Sequence, residues 1–220
     1  MSGTRYAQFC ALARAAEILG ERWTLLIIRE LLLGQKRFSD LSDRLSSVSP
    51  TVLTTRLNAL IEHGVVQRVT LPPPFNVQVY ELTSIGLSLK PAIRELIRWG
   101  GHFIFPMRPG DEFDPDWGLL ALDASARRTP TPPHKIVLRI KYKTKVASFL
   151  IEGGETGTTI SKGDGPASAA IETTFDTLLP IISLKLPLDQ AIRKSLATVE
   201  GSLRIARTLP RFFDRSERHG

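Results

Sequence analysis

The chain has 220 residues, a formal net charge of +7 and one cysteine. A single cysteine excludes an internal disulfide framework and fits a reducing compartment. The positive excess, 12 basic against 8 acidic residues over 1–105 and 17 against 14 over 106–220, is spread over both halves and marks no basic tail.

The length allows one large domain or two small ones, each able to bury a core. Met1 to Gln8 lacks the apolar core of a secretory leader, so export is not expected. No segment approaches the run of about 20 apolar residues that spans a bilayer. The most apolar window, 178–188, is broken by Pro180, Lys185 and Pro187. The sequence therefore predicts a cytoplasmic protein with no membrane partner.

In chain order, the alanine-rich run 9–19 has high helix propensity and stops at Gly20. The segment 22–33 is apolar on nearly every side, which predicts a helix buried in a domain centre, ended by Gly34. Phe38, Leu41 and Leu45 share one helical face, and the turn Ser46-Ser47-Val48 follows. Ser49-Pro50-Thr51 then sets a capping hydroxyl before a proline whose missing N–H costs nothing at the first helical position. In the helix that starts there, the 3.6-residue period puts Leu53, Leu57, Leu60 and Ile61 on one stripe. Thr51, Thr55, Asn58 and Glu62 turn outward, with Thr54 and Arg56 on the flanks.

A face of small hydroxyls, an amide and one arginine suits a DNA major groove, because such side chains approach base edges and both donate and accept hydrogen bonds. His63-Gly64 ends the helix. Two runs rich in Val, Thr and Tyr, 65–70 and 77–83, flank Leu71-Pro72-Pro73-Pro74-Phe75-Asn76 and predict a two-stranded ribbon with a proline-stiffened tip. This order of parts is that of a winged helix-turn-helix. Ser84 is the expected cap of a helix running to Gly100-Gly101, with Pro91 inside it as a source of irregularity or bending.

An ordered series of motifs, Cys10, 19–27, 37–41, 49–57 and 80–86, resembles the HxlR family of winged-helix transcription regulators from Cys10 to about Gly100. The resemblance implies that the second helix of the unit enters the major groove, the wing touches the backbone or minor groove, and the protein is a homodimer paired through its first and last helices. On that expectation Thr51, Thr54, Thr55 and Asn58 read bases from a helix that Ser49 begins, Arg37 and Arg56 take phosphates, and Asn76 and Gln78 serve the wing. The other reading of Leu96, Ile97 and Trp99 is packing inside one monomer. Several regulators of this kind sense oxidants through a cysteine at the place of Cys10, where a helix dipole would favour the thiolate. The competing reading is a small buried apolar residue between Phe9 and Leu12.

Three prolines and four acids over 105–116 resist regular structure. A helix is expected over 116–127 and an irregular link over 128–133. Strands are predicted at 135–142, 145–151, 157–161 and 169–174, followed by helical segments near 175–182 and 188–192, a short strand at Val199-Glu200-Gly201 and a closing helix at 203–213. The fold class is thus α+β, with a winged helix-turn-helix domain at 1–105, a linker with a helix at 106–133, and an α+β domain at 134–220. A β-meander, helix, short strand and closing helix over 114–213 resembles the sterol carrier protein fold. That resemblance implies an apolar tunnel and a small hydrophobic effector, with the residues of 178–188 and 203–213 either lining a cavity or filling a solid core.

Catalysis lacks a constellation. His63, His102, His134 and His219 fall at no metal-ligand spacing, Glu152 to Gly157 lacks the lysine of a phosphate loop and reads as a hairpin turn, and Ser148 and Ser161 have no base at an informative distance. No cofactor is expected. The sequence reading is a DNA-binding regulator, a repressor by family habit, acting on double-stranded DNA as a dimer at a palindromic operator. The alternative is a lipid or hydrophobic-metabolite binder in which DNA binding is secondary.

Overall fold

The computed structural model describes residues 5–104, 108, 110–112 and 114–214, so the expectations for Met1 to Thr4, for Phe105, Pro106, Met107, Pro109 and Phe113 of the linker, and for His219 lie outside the described residues. The chain divides into two compact units, Met1–Ile93 and Arg94–Gly220.

The first unit is built from α1 (Ala11–Leu19), α2 (Thr24–Leu32), α3 (Phe38–Arg44), α4 (Pro50–Glu62), β1 (Val66–Thr70), β2 (Gln78–Leu82) and α5 (Ser84–Leu87). Its core gathers one face of each helix: Ile27, Ile28 and Leu31 of α2, Leu41 of α3, and Leu53, Leu57 and Leu60 of α4 are buried. Burying each such side chain is worth about 1.5–3 kcal/mol, which makes the leucine stripe the main reason α4 keeps its orientation. Helix α2 is less enclosed than its composition suggests, since Leu25 and Leu26 are exposed on the side opposite Ile27 and Ile28. Glu30, fully buried, is held by Arg29 Nη2 at 2.6 Å and by Arg44 Nε, an ion pair that ties α2 to α3. A carboxylate there needs such partners, because an unpaired charge in the interior is strongly destabilising.

The wing forms as expected. Strands β1 and β2 are antiparallel, with Val66 opposite Leu82 and Thr70 opposite Gln78. Lys36 adds a bridge to the second strand, its N–H donating to the Tyr80 carbonyl at 3.0 Å and its carbonyl accepting from the Tyr80 N–H at 2.7 Å. The expected long helix from Ser84 to Gly100 is in fact two, α5 and then α6 (Lys90–Gly100). The cap is Thr83 rather than Ser84. Its Oγ1 accepts from the Gly86 N–H at 3.2 Å and donates to the Gly64 carbonyl at 2.5 Å. Pro91 stands in the first turn of α6, the one part of a helix that tolerates it. Gly86 has a steric reason, because a Cβ there would lie 2.2 Å from the Val65 carbonyl oxygen.

In the second unit, a 3-10 turn (Gly101–Phe103) and α7 (Pro115–Ser125) precede the sheet. Strands β3 (Lys135–Tyr142), β4 (Lys145–Gly154), β5 (Gly157–Lys162) and β6 (Ala169–Thr174) are followed by α8 (Phe175–Ile182), α9 (Leu188–Arg193), β7 (Ala197–Gly201) and α10 (Leu203–Ala206). Among the described residues the sheet order is β5-β4-β3-β6-β7. The meander therefore covers only β3 to β5. Strand β6 returns to lie parallel to β3, with Leu138 opposite Ile171, so it borders the centre of the sheet rather than β5. Arg139 of β3 fastens this return, reaching Asp164 of the crossing segment at 3.1 Å and Glu200 of β7 at 3.0 Å.

On the other face of β3, Ile136, Leu138 and Ile140 meet Ile151, Phe149 and Ala147 across the register and pack with Leu178 and Ile181 of α8. The closing helix expected at 203–213 is broken into α10 and a separate 3-10 turn at Leu209–Phe212, beginning two residues after Arg207 and containing Pro210. Leu209, Phe212 and Phe213 are fully buried in the core. For that stretch the solid-core alternative holds. The Phe212 carbonyl accepts from Thr158 Oγ1 at 2.8 Å and from the Arg127 N–H at 2.9 Å, which pins this turn against β5 and the residues after α7.

Candidate nucleic-acid interface

Helix α4 starts where Ser49 supplies the cap: its Oγ accepts from the Val52 N–H at 3.3 Å, and Pro50 occupies the first turn. Thr51, Thr54, Asn58 and Glu62, turned away from the stripe of Leu53, Leu57 and Leu60, are all exposed. Thr55 is half-buried and donates its hydroxyl to the Thr51 carbonyl at 2.9 Å. That bond satisfies its donor while leaving lone pairs available. Ile61, expected on the buried stripe, is only half-buried, because the helical period sets it to one side of the line through Leu53, Leu57 and Leu60. The helix ends at Gly64, whose φ of +67° is the left-handed stop expected there.

Arg56 is not a free cation. Its Nη2 lies 2.7 Å from Glu21 Oε2, and its buried Nε has no hydrogen-bond partner among the described residues. A phosphate reaching this guanidinium must displace Glu21. Arg37, exposed at the start of α3, has its backbone N–H bound by Asp40 Oδ2 at 2.9 Å. It directly follows the Lys36 bridge to the wing.

A residue absent from the sequence expectations joins this surface and rests on the buried Tyr80. Arg68 of β1 donates from Nη2 to Asn58 Oδ1 at 2.9 Å, and its guanidinium carbon sits 5.4 Å from the centre of the Tyr80 ring. The signal was present as an arginine in a strand opposite a tyrosine, but only the register makes Arg68 and Tyr80 partners. Asn76 and Gln78 are exposed at the wing, Asn76 with φ +40° in the tip and Gln78 paired with Thr70. Phe75 is exposed beside them.

Cys10 is exposed at the N-terminus of α1, as are Phe9 and Leu12, so within one chain the buried-residue reading is overturned. Among the described residues no group of His, Cys, Asp or Glu is arranged to hold a metal ion, and no helix is long and apolar enough to cross a membrane.

Residues 18–107 match the family model described as HxlR-like helix-turn-helix. The HTH-type transcriptional regulator Rv3095 of Mycobacterium tuberculosis is 40% identical over 94 residues, which are 43% of this chain and 59% of that protein. The chain thus spans about three fifths of the mycobacterial relatives' length. In Bacillus subtilis, YvaP is 38% identical over 42% of this chain and 86% of its own length, and YodB is 34% identical over 44% and 84%. The solved reduced form of YodB aligns with 46% of this chain and all of its own, at 31% identity and a TM-score of 0.40. These relatives are described as HTH-type transcriptional regulators. With more than four fifths of YvaP and YodB matched at 34–38% identity, the chain belongs to the HxlR-like helix-turn-helix family of transcription regulators.

Proposed function

We propose that the protein is a sequence-specific repressor that works in the cytoplasm, binding as a homodimer to a palindromic operator with α4 in the major groove. In this reading Thr51, Thr54, Thr55 and Asn58 face base edges, Arg37 and Arg56 take phosphates beside the helix start capped by Ser49, and Asn76 and Gln78 follow the adjacent backbone. The observation that supports it is the two-sided build of α4, in which a leucine stripe is sealed in the core while Thr51, Thr54 and Asn58 stand in solvent. Short polar side chains on a helix fixed by its opposite face are what direct readout requires.

The second unit, read as a carrier-type α+β domain, takes a small hydrophobic effector. Cys10 is the residue through which oxidants act, its thiol being open to solvent at the start of α1. The experiment is selection of genomic fragments by the purified full-length chain, followed by gel retardation over a range of salt. The expected result is a palindrome whose half-sites lie about 10 base pairs apart, with affinity falling steeply as salt rises. Retention no better than that of random DNA overturns the reading.

A further inference from the structure

Wholly within the second unit is a cavity of about 520 Å³, walled by the end of α6 and the turn after it, by α7, and by α8 with the residues that follow it. Its volume falls inside the range of about 300–1,000 Å³ typical of small-molecule sites. Ile97, Leu122, Leu179 and Ile182 make a largely apolar interior. None of residues 203–213 lines it, while Leu122 and Ile182 on its wall also belong to the core under the sheet, so the cavity borders that filled core.

The polar groups on the wall decide what it takes. Arg98 and Lys185 are balanced by Asp176 and Asp214, and Arg98 Nη1 stands 3.8 Å from Asp214 Oδ2. With the cations answered by carboxylates, the site offers no net attraction to an anion. Pro180, inside α8 and itself on the wall, has no N–H to give the carbonyl four residues earlier. That carbonyl belongs to Asp176, also on the wall, so its usual α-helical donor is missing and a ligand donor has an acceptor to meet.

We propose that this cavity binds one uncharged, mainly apolar molecule that carries a hydroxyl group. Its occupancy is independent of DNA; only its effect on operator binding rests on the regulator reading above. The test uses the full-length chain and 1-N-phenylnaphthylamine, an uncharged fluorescent probe. Saturation at one probe per chain is expected, with new amide-exchange protection at 97–104, 121–125 and 175–185 of the wild type. Displacement by 1-decanol should be at least about tenfold more effective than by decanoate. Ala121→Phe, which pushes a ring into the space, should weaken the probe by about tenfold or more while the circular dichroism stays native. Absence of saturable binding, protection elsewhere, unchanged affinity in the variant, or decanoate matching decanol each overturns the proposal. Should Ala121→Phe not fold, the wild-type exchange map and the competition decide alone. Because none of these readouts involves DNA, their failure is distinguishable from failure of the operator selection.

Discussion

Arg68 Nη2 donates to Asn58 Oδ1 across 2.9 Å, joining the first strand of the wing to the outward face of α4. The bond fixes which way the Asn58 amide points. Its oxygen is taken by the arginine, so its NH2 is the end left to present to a base. Replacing Asn58 with Ala is expected to relax sequence preference at one base pair by about 1–3 kcal/mol, whereas Arg68→Ala should weaken all sequences and lower the salt slope by about one. Anisotropy titrations against a matched and a mutated operator separate the two. Equal losses on both operators for Asn58→Ala would remove it from the base-reading set.

Glu21 holds the Arg56 guanidinium at 2.7 Å, so a phosphate contact by Arg56 must be made at the expense of that pair. Glu21→Gln removes the competing charge. If Arg56 takes a phosphate, the variant binds operator and random DNA more tightly alike, and the salt slope steepens. Unchanged binding would mean that Arg56 serves only to tie α4 to the residues before α2.

Ser49 caps α4 by accepting a backbone N–H, at 3.3 Å from Val52 N. Ser49→Ala should cost about 1 kcal/mol of local stability, speeding amide exchange in the first turn of α4 roughly fivefold, while Ser49→Gly costs only a few tenths. An alanine variant that exchanges like the wild type would show that Pro50 and the leucine stripe alone set the helix start.

Signals that act within one turn of chain were legible in the sequence. Ser49-Pro50 marked the start of α4, and alternation in 135–142 and 145–151 placed β3 and β4, because capping and pleat depend on neighbours a few residues away. Choices decided by distant partners were not. Thr83 and Ser84 are both competent caps, and Thr83 prevails because its hydroxyl also reaches the Gly64 carbonyl across the wing. The parallel pairing of β6 with β3 depends on a crossing held by Arg139, which no periodicity announces. At the candidate interface the outward set on α4 followed from its period, but the commitments of Arg56 to Glu21 and of Arg68 to Asn58 are long-range pairings.

Arg207 grips Asp189 through Nη2 at 2.8 Å and through Nε at 3.1 Å, joining α9 to the end of α10. Hydrogen bonding from Arg207 holds the Asp189 carboxyl below its ordinary pKa. A carboxylate whose folded pKa is depressed adds stability above its unfolded value and loses it as pH falls through the folded value. Asp189→Asn should therefore melt slightly below the wild type at neutral pH, with the difference closing as the solution is acidified past the ordinary aspartate range. A constant difference down to pH 2 would assign the effect to packing instead of charge.

Phe9 and Leu12 at the start of α1 lie in open water, Leu12 with 77% of its surface accessible. Two large apolar side chains three residues apart form a patch that, in the proposed homodimer, a second copy would cover on both chains at once under two-fold symmetry. Leu12→Glu places a like charge on each side of that axis, so the variant should sediment as one chain where the wild type sediments as two. DNA affinity should fall with it, because each reading helix then binds without the effective concentration its tethered twin provides. A variant that remains dimeric removes α1 from the interface, and a wild type that sediments as a single chain removes the dimer itself, leaving the exposed face of α1 for a different protein.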